Sequence, residues 1–230
     1  MAAGLAERMQ PLSYEVPKPL VRVNGTRMID TVVDGLKANG INEIYVVIGH
    51  LKDQFYIWAK DKEVNLIENP YYDTCNNIGS LYVARQHLNN CMILDGDQII
   101  YNKSILNPCF TLSGYNAVWR EKPTKEWLMT VDNGVVTSCS REGGERGWQL
   151  YSISRWTAQD GEKLRKHTEY EFDRGNRQIY WDDVAMFCHF DEYKLGIREM
   201  NAADMVEIDS LEELIAIDRS YADYMNIERN

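Results

Sequence analysis

The stretch MIDTVVDGLKANGINEIYVVIG, residues 28–49, reads as a helix, its stop and a buried strand in succession. Met28, Ile29, Val32, Val33 and Leu36 recur at helical spacing over Met28–Ala38, which gives that segment one apolar face. Gly40 closes the helix, because glycine accepts the left-handed turn that ends many helices. Glu43–Gly49 then runs through β-branched residues without polar alternation, the pattern of a strand covered on both faces. Outward from there the alternation continues: a helix over Leu51–Ala59, a strand over Val64–Ile67, a helix over Asn77–Leu88 and a strand over Cys91–Leu94. That order predicts an α/β fold, a Rossmann-like mixed and mainly parallel sheet with helices on both faces.

The second half changes character. Tyr115–Trp119, Gly134–Cys139 and Gly147–Ser154 read as strands joined by polar turns, so a strand-rich insert is expected to hang on the first half. Helices are expected over Thr157–His167 and Asp182–Phe190, a short strand over Val206–Ile208, and an end helix from Leu211 to about Tyr224. One domain over residues 1–230 is therefore expected. It comprises a first half (1–113), a strand-rich part (114–205), and a closing segment (206–230) with a late acidic motif and a helix.

The chain has 230 residues, with Lys+Arg 25 against Asp+Glu 35, a net charge of −10. Such a balance lacks the broad basic footprint of a duplex-DNA binder, so no nucleic-acid partner is expected. A small anion would have to meet locally concentrated cations or a recruited metal. No run of 18 apolar residues predicts a membrane span. Five cysteines (Cys75, Cys91, Cys109, Cys139 and Cys188) are scattered with no CxxC spacing. They read as reduced thiols, and the protein as cytoplasmic. The four histidines are dispersed and read as structural.

Two stretches bring chemistry. In MAAGLAERMQPLSYEVPKPL, residues 1–20, the small residues Ala2, Ala3 and Gly4 allow close backbone approach to a ligand, and exposed N–H groups can cradle phosphates. Arg8 and Lys18 add two cations, and Pro17 and Pro19 stiffen the backbone around Lys18. A flexible arm with two solvated charges is the competing reading. Further on, Leu94-Asp95-Gly96-Asp97 follows an apolar strand, and carboxylates at that end of a strand lie where open α/β sheets bind ligands. The Asp-x-Asp spacing suits a hard cation such as Mg²⁺, although Asp-Gly is also ordinary turn chemistry. Near the end, Glu207 and Asp209 alternate onto one face of a short strand, with a helix cap at Asp209 or Ser210 as the competing reading.

The N-terminal segment resembles the AAGxGxRxxPLTxxxPKPL motif of the nucleotidyltransferases that join a nucleoside triphosphate to a phosphorylated small molecule. Ala2, Ala3, Gly4, Arg8, Pro11, Leu12, Pro17, Lys18, Pro19 and Leu20 sit at matching positions. Ala6 and Ser13 depart from the pattern, and Ala6 lowers the loop's backbone freedom. The resemblance implies a nucleotide-diphospho-sugar transferase-like fold, with 1–113 as its nucleotide-binding half, 114–205 as its acceptor-binding part and 206–230 as its late metal motif and C-terminal helix. Such a sheet ordinarily opens with an apolar strand ahead of this loop, so a strand preceding residue 1 is the expectation. The resemblance also implies a catalytic metal, Mg²⁺, on Asp97 and Asp209, with Glu207 a weaker candidate and Asp95 structural. It gives Lys18, Arg8 and Asp97 catalytic roles.

Other segments are similar to the bacterial CTP:phosphocholine cytidylyltransferases. These are Asn76-Asn77-Ile78-Gly79-Ser80-Leu81, Ala117–Glu121 with Glu126-Trp127, Tyr180-Trp181-Asp182-Asp183, and Glu207–Leu214. That similarity makes Asn77 and Ser80 candidates for reading the base, against helix capping as the plain alternative. It assigns Arg120 to the acceptor phosphate, and Trp127, Tyr180, Trp181 and Asp182 to a cage for choline. A quaternary ammonium donates no hydrogen bond and is recognised by aromatic faces and nearby carboxylates. Trp119 and Trp148 are instead expected in the core. The implied function is CMP transfer from CTP to phosphocholine, giving CDP-choline and pyrophosphate. Phosphoethanolamine, 2-aminoethylphosphonate or a sugar 1-phosphate remain alternative acceptors, and a non-catalytic nucleotide-binding domain a further one. Oligomeric state is left open.

Overall fold

The structure, a computed structural model, describes residues 1–226; the last four residues of the segment 206–230 lie outside the described residues. In chain order the strands are β1 (Arg22–Val23), β2 (Thr26–Arg27), β3 (Tyr45–Ile48), β4 (Asn65–Glu68), β5 (Cys91–Leu94), β6 (Gln98–Ile100), β7 (Gly114–Arg120), β8 (Leu128–Asp132), β9 (Val135–Ser140), β10 (Gly147–Trp156), β11 (Gly196–Glu199) and β12 (Met205–Glu207). The α-helices are α1 (Met28–Ala38), α2 (Asp53–Lys62), α3 (Ile78–Ala84), α4 (Ala158–Asp173), the short α5 (Trp181–Asp183) and α6 (Leu211–Ile217). Contacts divide the chain into two units. One comprises Met1–Thr74, Asp95–Leu106 and Ala203–Asn230, the other Cys75–Leu94 and Asn107–Ala202.

In the first unit α1 buries Met28, Ile29, Val32, Val33 and Leu36, the face its spacing predicts. Each such side chain contributes roughly 1.5–3 kcal/mol on leaving water. The helix also buries Gly35, because a Cβ there would stand 2.7 Å from Leu106 Cδ1. Strand β3 is buried at Val46, Val47 and Ile48 and pairs in parallel with β4. The antiparallel pair β6–β12 sets Glu207 opposite Gln98. One step further in that register Ile208 would stand opposite Asp97, so Glu207 and Asp209 flank Asp97. Met9, Leu12, Val21, Val23, Met28, Ile99, Ile208, Leu211 and Leu214 form one apolar cluster that ties the N-terminal loop to α6.

The second unit is built on a six-stranded sheet in the order β5-β10-β7-β11-β9-β8. Only β7–β11 runs parallel within it. Antiparallel ladders therefore hold a larger share than helix–strand alternation suggests. The cause is the hairpin-rich insert, where short polar turns can connect only antiparallel neighbours. Strand β8, which sequence pattern missed, belongs to it. Helix α4 is capped by Thr157, whose hydroxyl accepts from Asp160 N at 3.1 Å, and it extends to Asp173 rather than ending at His167. Its Gly161 is required by close approach, since a Cβ would stand 1.8 Å from Leu88 O. Among the described residues no helix is long and apolar enough to cross a membrane.

Candidate active site

The N-terminal loop lies along the end of β3. Ala2 N donates to Val47 O (2.9 Å), His50 N donates to Ala3 O (3.1 Å), and both alanines are buried. Gly4 is exposed, with nothing within 4 Å of the place a Cβ would take. Ala6 adopts φ 52°, ψ 45°, the left-handed region, so the motif's usual glycine position is held by an L residue at a conformational cost. The following turn points Met9 into the core and Arg8 outward, with 71% of the Arg8 side chain exposed.

Lys18 starts a short turn behind Pro17 and is buried. Its ammonium stands 2.6 Å from Asp97 Oδ2 and 2.9 Å from Asp209 Oδ1. Arg8 Nη2 lies 3.3 Å from the same Asp209 oxygen. Burial pulls the Lys18 pKa down, but Asp97 and Asp209 outweigh it and hold the ammonium above its ordinary value. Burial pushes Asp209 up, yet Lys18 and Arg8 keep it below the usual carboxylate range. The Asp95-Gly96-Asp97 turn fits closely here, because Gly96 N donates to Met1 O at 2.7 Å and a Cβ on Gly96 would meet that oxygen at 3.0 Å.

The carboxylates also fit a divalent cation. Oxygens of Asp95, Asp97 and Glu207 lie within 4.8 Å of one another. Asp97 Oδ1 is buried with no hydrogen-bond partner among the described residues, the condition expected of a metal-ligand oxygen. Glu207 is pushed well above the ordinary carboxyl value by burial and by Asp97, Asp95 and Asp209. Such crowding of like charge is relieved when a cation enters. Asp95, read from sequence as structural, thus belongs to the tight acidic group. Asp209 joins it through the shared Lys18 ammonium.

In the second unit Asn77 precedes α3, and its Oδ1 accepts from Trp181 N at 2.7 Å. Ser80 is buried within α3. Arg120, at the end of β7, donates to Gln149 Oε1 (2.5 Å) and Tyr151 OH (3.0 Å), both neutral acceptors. Trp127 meets the edges of Tyr180 (5.8 Å) and Phe187 (5.2 Å). Tyr180 is half-exposed, while Asp182 and Asp183 are buried at the start of α5.

Two expectations about tryptophans are corrected. Trp181 walls no open cage: it is fully buried against Tyr115 and Trp156 (centroids 6.1 and 6.4 Å), because the start of α5 turns it inward. Trp119 is no core residue. It is 42% exposed and edge-on to Trp148, on the outer face of β7.

A model of the MobA-like NTP transferase domain matches residues 1–162. The chain belongs to this family. It is a nucleotidyltransferase, and it has the nucleotide-diphospho-sugar transferase-like α/β fold. It is 36% identical over 226 residues to the 2-aminoethylphosphonate cytidylyltransferase of Lancefieldella rimae, covering 96% of this chain and 91% of that one. It is 30% identical over 214 residues to the choline-phosphate cytidylyltransferase of Streptococcus pneumoniae, covering 93% of each. The solved structure of the CTP:phosphocholine cytidylyltransferase from Streptococcus pneumoniae superposes with a TM-score of 0.88 at 30% identity, over 95% of this chain and 96% of that one.

Members of this nucleotidyltransferase family use a divalent metal, and the acidic group of the transferase is chemically suited to one. The first unit gathers Arg8, Lys18, Asp97 and Asp209 from three separate segments of the chain. In the second, the transferase joins Trp127 to Tyr180 and adds Phe187 and Arg141, which sequence reasoning left out. Arg141 sits in the polar turn SREGGERG, where no spacing links it to Asp183, 42 positions on. Two of the four histidines pack on each other. His167 and His189 stack at 3.9 Å, with His189 bonded to the buried Glu171 at 3.0 Å.

Proposed function

We propose that the protein transfers CMP from CTP to a small acceptor that carries a phosphate or phosphonate group and a positive nitrogen. Phosphocholine, the acceptor favoured by sequence motif, and 2-aminoethylphosphonate, named in the Lancefieldella rimae relative, share that plan. The observation that carries the reading is the Lys18 ammonium fixed between Asp97 and Asp209 inside the family's N-terminal motif.

An anionic acceptor oxygen attacks the α-phosphorus of CTP. A P–O bond forms, the bond from the α-phosphorus to the bridging oxygen breaks, and pyrophosphate departs with the electron pair. The acceptor is already anionic near neutral pH, so the step asks for positioning and charge stabilisation more than for a strong base. Lys18 holds the α-phosphate oxygens beside the incoming anion. Arg8, exposed and free to swing from Asp209, takes the pyrophosphate end together with the amides of the Ala2–Gly4 loop. Asp97 and Asp209, with Asp95 and Glu207 adjacent, would hold Mg²⁺, which neutralises triphosphate charge. Arg120 is anchored by Gln149 and Tyr151, neutral groups that leave its charge for the acceptor's anionic end. Asn77 and Ser80 are assigned to the base; the Asn77 oxygen is committed to Trp181, which leaves its Nδ2 as the donor.

Pyrophosphate release measured with CTP or UTP, with and without Mg²⁺, against a panel of acceptors tests the reading. CTP- and Mg²⁺-dependent release with a zwitterionic phosphate or phosphonate is expected. Binding of CTP without release for any acceptor would overturn it in favour of a non-catalytic nucleotide-binding domain.

A further inference from the structure

The aromatic corner of the second unit already holds a cation. The Arg141 guanidinium carbon lies 3.7 Å from the centre of the Phe187 ring and 5.8 Å from that of Trp127. It is not a loose surface charge. Its Nε and Nη2 donate to Asp183 Oδ1 at 2.9 and 2.5 Å. Asp183 is buried and locked in turn, with its Oδ2 accepting from Tyr180 N at 2.8 Å in a reciprocal cap at the start of α5. The guanidinium is thus tied to the same turn that presents Tyr180 and Asp182.

A cation on an aromatic face draws on the ring's quadrupole, and a second cation at the same rings meets like charge. A trimethylammonium group has no N–H and depends on ring faces for recognition. A primary ammonium brings three donors and is satisfied by carboxylate oxygens. Asp182, buried beside Asp183, supplies such oxygens on the adjoining residue.

We propose that Arg141 is a specificity-determining residue that selects acceptors with a primary ammonium and disfavours trimethylammonium. The proposal rests on the cytidylyltransferase reading above. It names the acceptor class as a small phosphonate or phosphate monoester ending in –NH₃⁺.

Steady-state pyrophosphate release with CTP tests it, using 2-aminoethylphosphonate, phosphoethanolamine and phosphocholine in parallel. The wild-type kcat/KM is expected to favour the primary ammonium acceptors by tenfold or more. Arg141→Gln keeps a donor for Asp183 but removes the charge from the ring, and should shift the ratio toward phosphocholine by about tenfold with KM for CTP unmoved. Arg141→Lys retains a cation near the rings and should keep most of the wild-type preference, provided far-UV circular dichroism shows the fold retained. A wild-type preference for phosphocholine overturns the proposal. So does an Arg141→Gln enzyme that turns over CTP with an unchanged acceptor ratio. Absence of release with all three acceptors overturns the cytidylyltransferase reading, and this inference with it.

Discussion

Lys18 is a buried cation held between two carboxylates. Its ammonium separates carboxylates that would otherwise repel at close range. Lys18→Met should lower pyrophosphate release by about a hundredfold or more, the scale seen when one pre-aimed charge-stabilising group is lost. Stability should change in a pH-dependent way. In the wild type, Asp209 is held below its ordinary value, so its contribution is present at neutral pH and lost as pH falls through that lowered pKa. Lys18 is held above 10.5, so its contribution is lost only on the alkaline side of that value. Removing the ammonium leaves Asp95, Asp97, Glu207 and Asp209 facing one another with no buried cation between them. The variant should be weaker than wild type by about 2 kcal/mol at pH 7, with partial exposure of Asp209 reducing the cost. The deficit should shrink as pH falls toward 5, because protonation relieves the repulsion. Urea midpoints at pH 5, 7 and 8 check this, and a constant deficit would count against it. Ala6 offers a gentler test. Its left-handed backbone costs roughly 1 kcal/mol, part of which the Ala6→Gly change returns to unfolded-chain entropy. A net gain of about 0.5 kcal/mol is expected in the urea midpoint.

At the scale of elements, the late acidic motif is held by a helix cap. Ser210 Oγ accepts from Glu213 N at 3.2 Å, while Glu213 Oε2 accepts from Ser210 N at 3.1 Å and from Asp209 N at 2.6 Å. The helix-cap reading of this stretch is thus met at Ser210, and the same cap holds the Asp209 backbone beside the acidic group. Ser210→Ala should cost about 1 kcal/mol, a fall of roughly 2–4 °C in Tm for a chain of this size. Glu213→Ala should additionally raise the Mg²⁺ concentration needed for activity, since it frees the Asp209 backbone. An unchanged metal requirement would separate the cap from the site. Elements with a strong period were legible in advance: α1, β3 and β5 follow from apolar spacing alone. Strand β8 and the far end of α4 were not. Leu128 and Met129 are the only buried positions of β8, too few to show alternation. Beyond His167, helix α4 is held by Thr168, Glu171 and Phe172 packing inward, which no spacing rule marks as apolar. Arg8, Lys18, Asp97 and Asp209 were legible because each lies in a motif. Arg141 and the inward turn of Trp181 depend on tertiary contacts that a linear pattern does not carry, whereas the cap by Asp183 on Tyr180 N is local and spans three positions.

For the molecule as a whole, the excess of acidic residues and the handling of a triphosphate form one problem. A chain of net charge −10 must bind a polyanion, and four of its carboxylates gather in the unit that holds the family's N-terminal motif. Two cations, Arg8 and Lys18, do not balance those four, so the charge of CTP adds to an existing deficit. Metal and nucleotide should therefore bind with positive coupling, each neutralising charge that opposes the other. Thermal unfolding reads this directly. A ligand at about a hundred times its Kd adds roughly 2.7 kcal/mol to the folded state, which corresponds to an upward shift of roughly 5–10 °C in a chain of this length. CTP with Mg²⁺ should produce a shift of that size. CTP with a chelator should produce little, and Mg²⁺ alone an intermediate rise as it relieves the crowding around Glu207. Equal shifts with and without the metal would mean that Arg8, Lys18 and the loop amides suffice for the triphosphate. The acidic group would then need another explanation than the recruitment of a cation.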